Sequence, residues 1–113
     1  MVGLRIEDYE RQVLAALCSD TLPNSTLFAA LNHPRNISLK FDGASYFLGL
    51  EHPELPETRI VCDKPEIAGT FQEREIGFVA FLEGRCLTLE CYAKDSHGIP
   101  ESIRDGVVSV SAT

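Results

Sequence analysis

A chain of 113 residues with 44% hydrophobic and 24% charged residues has the size and balance of one globular domain. A formal net charge of −7, from 17 acids and 10 bases, disfavours nucleic acid and anionic membrane surfaces and favours basic partners. No apolar run approaches the roughly 18 residues of a membrane span, and no basic-then-apolar leader opens the chain, so the expected setting is the cytoplasm.

A chain this long can bury a core without disulfides or metal. The charge is uneven along it. Residues 1–40 hold four acids and four bases, whereas residues 41–113 hold thirteen acids against six bases. All of the negative excess therefore belongs to the later part of the chain.

Residues 4–19 carry Ile6, Tyr9, Val13, Ala16 and Leu17 at helical spacing, with Glu7 and Arg11 four apart in the favourable order. This predicts an amphipathic helix with one buried stripe. "LPNST" breaks it, and Asn24 or Ser25 is the expected cap of a second, short helix through Leu27, Phe28 and Leu31, ended by His33-Pro34. From residue 37 the apolar period changes from 3.6 to 2. Ile37, Leu39 and Phe41 alternate with Ser38, Lys40 and Asp42, and Asp42-Gly43 predicts a hairpin continuing through Tyr46, Leu48 and Leu50.

"PELPE", residues 53–57, reads as a loop because its prolines cannot donate to a ladder. "TRIVCD" reads as a third strand. Residues 64–74, with Pro65 and Gly69, read as a flexible connection. "GFVAFLEGRCLTLECYAKD", residues 77–95, then supplies two strands about Glu83-Gly84. A two-residue loop there gathers Ile76, Phe78, Ala80, Leu82, Leu87, Leu89 and Cys91 on one face. The other face holds Gly77, Val79, Phe81, Cys86, Thr88, Glu90 and Tyr92, while a three-residue loop shifts the pairing by one. The tail predicts one helical turn at Pro100–Arg104 and a last strand, Val107–Val110. The fold class expected is α+β: two N-terminal helices on one face of a curved antiparallel sheet of about five to six strands, in a single domain spanning residues 1–113.

The four cysteines, Cys18, Cys62, Cys86 and Cys91, show no C-x-x-C spacing, and Cys86 and Cys91 fall on opposite faces of one strand. They read as small, mostly buried apolar residues, and neither metal nor cofactor is expected. Glu90 is the best single candidate for acid–base work, yet no partner for it can be named. Its ordinary reading is a carboxylate on a half-exposed sheet face. His33, His52 and His97 stand beside proline or glycine, as solvated turn histidines do. No phosphate-binding glycine loop, G-x-S-x-G elbow or H-E-x-x-H motif is present.

The helix and "LFAALNHP" leading into "SLKFDGASYFLGLEHP", followed by "GFVAFLEGRCLTLECYAKDSHGIPESI", resemble small bacterial immunity proteins of toxin–immunity systems, including those of contact-dependent growth inhibition. Gly77, Phe78, Phe81, Gly84, Leu87, Leu89, Glu90 and Tyr92 carry the resemblance, with Pro100 after them and Gly43 and Phe47 before. The chain departs from the pattern at Cys91 and at Glu83 before the turn glycine. The resemblance implies a protein that binds and neutralises a cognate toxin domain, without catalytic residues of its own. A basic nuclease toxin suits the acidic charge, as a monomer in a 1:1 complex. The carboxylates expected to meet it are Glu51, Glu54, Glu57, Glu90 and Asp95, with "EHPELPE" as a proline-stiffened acidic loop. The alternative from another class is a small hydrolase or ligand-binding domain using Glu90 with a loop histidine. A third is a homomeric or adaptor role through a free sheet edge.

Overall fold

The computed structural model describes residues 4–95 and 97–112. Helix α1 spans Asp8–Cys18 and α2 spans Asn24–Asn32. Seven strands follow: β1 Arg35–Asp42, β2 Ser45–Glu51, β3 Ile60–Cys62, β4 Ile67–Phe71, β5 Arg74–Glu83, β6 Cys86–Ala93 and β7 Ser109–Ala112. A 3₁₀ turn, Glu101–Asp105, precedes the last strand. They form one open, curved antiparallel sheet in the order β1-β2-β6-β5-β4-β7, with β3 paired to the far end of β5.

The α+β architecture is as the sequence pattern predicts, with corrections. The sheet has seven strands, because β4 lies inside the segment read as a flexible connection. Gln72 and Glu73 turn β4 into β5 with φ of 50° and 66°. Neither is the glycine or asparagine that announces such a turn. The cap of α2 is Pro23, and neither Asn24 nor Ser25 serves. Glu7 does not reach Arg11. It lies at the N-cap of α1 and its N–H donates to Glu10 Oε1 at 2.7 Å, while Arg11 reaches Asn32 Oδ1 at 3.4 Å.

The β5–β6 hairpin pairs Glu83 with Cys86 and Phe78 with Cys91, so its two loop residues are Gly84 and Arg85, at φ of 59° and 62°. This is one position beyond the expected loop on each strand. The pairing moves by two, and parity is kept. Ile76, Phe78, Ala80, Leu82, Leu87, Leu89 and Cys91 all stand buried on the inner face, against Val13, Leu14 and Leu17 of α1.

One polar group sits inside this core. Glu10 is fully buried, and its carboxylate accepts from Tyr46 Oη at 2.7 Å and from Arg104 Nε and Nη2 at 2.8 and 2.9 Å. Tyr9 and Tyr46 share a further hydroxyl–hydroxyl bond, and Arg104 also donates to the Arg5 carbonyl. The cluster ties α1, β2 and the 3₁₀ turn together across 94 residues of sequence. Burial holds both tyrosines above the ordinary phenol range, and burial with the Glu10 charge pushes the Cys91 thiol up to about 12. These groups are locked parts of the core.

Candidate functional site

Helices pack on the inner face only, so the outer face of the strands forms a surface of its own. The ladder registers set its rows. Lys40, Phe47, Glu90 and Val79 stand side by side across β1, β2, β6 and β5. The next row runs Ser38, Gly49, Thr88, Phe81 and Val61, and another runs Asp42, Ser45, Tyr92, Gly77 and Ala68. Phe47, Val79, Phe81 and Tyr92 are half-buried, and Val61 is 46% exposed. Together they make an apolar strip across the middle of the face.

Two details keep the strip flat. A Cβ at Gly77 would lie 2.4 Å from Tyr92 Cζ, so the glycine lets the tyrosine ring lie down on the neighbouring strand. Arg59 stands 6.0 Å above the Phe81 ring with its guanidinium 3.7 Å from Glu83. Phe47, Arg59, Phe81, Glu83, Cys86 and Thr88 line a shallow groove of about 420 Å³ there.

Carboxylates surround and interrupt the strip. Alternation puts Asp42, Glu51, Glu75, Glu83 and Glu90 on the outer face, set against Lys40 and Arg59. Glu90 is at its centre and accepts from Ser45 Oγ at 2.9 Å. Glu51 lies at the end of β2, where Asn36 Nδ2 donates to it at 2.6 Å and the Cys86 thiol approaches at 3.8 Å. Burial, then the Glu51 charge, raises the Cys86 thiol above its ordinary range.

The five carboxylates expected to act together are dispersed along the sheet. Glu51, Glu54 and Glu57 share the end near the β5–β6 turn. Glu90 is four residues of β6 away, roughly 13 Å, and Asp95 lies past the opposite end. Glu57 is paired with Arg85 Nε at 3.4 Å. Asp95 is gripped by Arg74 through Nε and Nη2 at 2.9 and 2.8 Å and also accepts the His97 N–H. Those bonds hold Asp95 well below the usual carboxylate range. Glu66–Lys94 is a further pair, so several of the later carboxylates are held by cations of the same region.

The proline loop is anchored. Leu55 is buried, Gly84 and Arg85 donate backbone N–H groups to the Glu57 and Pro56 carbonyls, and Arg85 Nη1 reaches the Pro53 carbonyl at 2.6 Å. Glu51, Arg35 and Arg85 meet around a second groove, about 310 Å³, where charges of both signs are mixed.

The histidines stand apart from Glu90. Phe47 is the β2 partner of Glu90, and His52 follows it by five residues, roughly 16 Å along the strand. His52 is buried, with Nδ1 accepting the Glu54 N–H at 3.1 Å. His97 Nδ1 lies 3.7 Å from Asp95, and His33 ends α2 on the helical side. Among the described residues no group of His, Cys, Asp and Glu has the geometry of a metal site.

Sequence reasoning put Val79, Phe81, Glu90 and Tyr92 on one face, but it did not join Phe47 and Val61 to them or name Asp42, Glu75 and Glu83 as binding carboxylates. The signal for them was the alternation of β2 and β5; their neighbours across the ladders required the register. Comparison with protein-family models, curated proteins and solved structures returned no match.

Proposed function

We propose that the protein is a binding protein of the immunity type, which neutralises a cationic toxin domain by seating it on the outer face of the sheet. The observation that carries this reading is the composition of that face: an apolar, partly aromatic centre of Phe47, Val79, Phe81, Val61 and Tyr92, with Glu90 set within it and Asp42, Glu51, Glu75 and Glu83 at its edges. Interfaces concentrate aromatic residues at a dry centre and charge at the rim. A net charge of −7 supplies long-range attraction to a basic partner.

On this reading Glu90 is a recognition group at the centre, held in place by Ser45. Glu54 and the rim carboxylates act mainly on the rate of encounter. Glu57 and Asp95, already held by Arg85 and Arg74, serve the architecture.

The test is co-purification of the full chain with the product of the adjacent reading frame, followed by binding kinetics at two ionic strengths. A 1:1 complex is expected, with an association rate that falls as salt rises. Phe81→Ala should weaken it by roughly tenfold to a hundredfold, chiefly in dissociation, and Glu90→Lys by at least as much. A complex indifferent to both substitutions but lost on changing Phe28, exposed on α2, would move the interface to the helical side and overturn the assignment. No complex at all would overturn the immunity reading.

A further inference from the structure

Cys18 and Cys62 were expected only to fill space, and both are buried, at 0% and 3% exposure. They are brought together by different elements. Cys18 is the last residue of α1, and its carbonyl accepts the Thr21 N–H at 3.0 Å. Cys62 is the last residue of β3, and its sulfur lies 3.7 Å from Thr21 Oγ1. The end of β3 is thus seated against the turn that closes α1, which brings the Cys62 thiol into the neighbourhood of Cys18. Neither is in a disulfide. Cys86 and Cys91 stand on opposite faces of β6, Cys91 near Tyr46 and Glu10, Cys86 near Glu51.

We propose that Cys18 and Cys62 are a redox modification site, forming a reversible disulfide that fastens α1 to β3 when the protein meets a small-molecule disulfide such as oxidised glutathione. Access comes through β3. It is three residues long, pairs with β5 on one side only, and is flanked by loops, so it opens locally more readily than the central strands.

In the opened form Cys62 loses its proton to solvent and attacks one sulfur of the oxidant. The oxidant's S–S bond breaks, one glutathione thiolate leaves and takes a proton, and a mixed disulfide remains on Cys62. While β3 is still open, Cys18 loses its proton to solvent and attacks the Cys62 sulfur, and the second glutathione leaves as a thiolate that takes up a proton before β3 recloses. Two protein thiols are oxidised and one glutathione disulfide is reduced to two thiols. In the closed form burial raises the Cys18 thiol well above its ordinary range, so oxidation waits on opening. The new bond closes the chain around α2, the β1–β2 hairpin and the proline loop, and so restrains the unfolded state.

The test treats the full native chain with oxidised glutathione, quenches with iodoacetamide and maps the cysteines by mass spectrometry, with thermal unfolding in parallel. The expected product is a Cys18–Cys62 cross-linked peptide lacking two hydrogens, with Tm raised by about 10 °C and restored by dithiothreitol. The Cys86→Ser/Cys91→Ser variant should form it equally, and Cys18→Ser should stop at the mixed disulfide on Cys62. Oxidation in urea should give scrambled pairs. Recovery of Cys18 and Cys62 as alkylated thiols, pairing of either with Cys86 or Cys91 in the native protein, or glutathionylation of Cys86 alone would overturn the proposal. A cross-link that leaves Tm unchanged would overturn its fastening role.

Discussion

A carboxylate with no water around it must have every lone pair answered, and Glu10 does. Two nitrogens of Arg104, the Tyr46 hydroxyl and the Glu7 N–H all donate to it. Removing one partner leaves another group desolvated and unpaired. Glu10→Gln strips the charge that balances Arg104, whose side chain is only 10% exposed, and should destabilise by about 3–5 kcal/mol. Tyr46→Phe removes only a neutral donor and should lose about 1–3 kcal/mol. Urea midpoints at unchanged m-value test both; losses below about 0.5 kcal/mol, typical of surface changes, would show the cluster to be solvated. Asp95 makes a pH prediction. Its carboxyl is held below the usual range by Arg74 first and by the His97 N–H next, so its contribution is present above the unfolded carboxyl pKa of about 4 and is lost as pH falls. Asp95→Asn should make Tm fall less steeply below about pH 4 than in the parent chain. An identical acid limb would show the Arg74 fork to be without effect.

Turns decide how elements are joined here, and two of them differ in how well their residues suit them. Gly84 takes its positive φ freely, with nothing within 4 Å of where a Cβ would stand, so Gly84→Ala should cost about 1 kcal/mol from backbone conformation alone. Gln72 and Glu73 adopt the same left-handed region with side chains that disfavour it. Replacing the pair with Asn and Gly (Gln72→Asn with Glu73→Gly) should therefore stabilise the protein by about 1–2 kcal/mol, read as a higher midpoint without change in m-value. A lower midpoint would mean that these side chains make compensating interactions. The same chemistry explains what was hidden in the sequence. Strands β1, β2, β5 and β6 were legible because strict alternation and Asp-Gly or Glu-Gly turns mark them. β4 was not, because Pro65, Gly69 and a turn without glycine all argue for a loop. Only pairing with β5 and β7 on both sides makes those five residues a strand.

Across the whole molecule, net charge and local charge arrangement have different consequences. Arg59, Arg74, Arg85 and Lys94 each hold an acid from the same half of the chain, so the field near those pairs is weak although the total remains −7. The outer face keeps Asp42, Glu75 and Glu90 outside those ion pairs and adds an apolar centre. This is why the docking proposal rests on that face rather than on the proline loop, whose Glu57 is engaged and whose backbone is bound to the β5–β6 turn. The salt dependence of association belongs to this scale. Reversing Glu54, remote from the apolar centre, should slow encounter modestly and leave dissociation unchanged. An altered dissociation rate would place the loop inside the interface.

Sequence periodicity alone marked the core faces of α1, β2, β5 and β6, though not Glu10, Leu55, Ile67 or Phe71, which are buried as well. Period 3.6 and then period 2 leave one face of each element apolar, and burial of that face is favourable whatever the neighbours are. It therefore placed Glu90 opposite Leu89 and Cys91 even with the hairpin loop misplaced, since a shift of two preserves parity. Tertiary structure decided what the outward residues do. Whether a carboxylate is free, salt-bridged or buried depends on which distant cation the fold delivers, as Arg104 is delivered to Glu10 and Arg74 to Asp95. Those encounters are fixed by topology and register, which local periodicity does not encode.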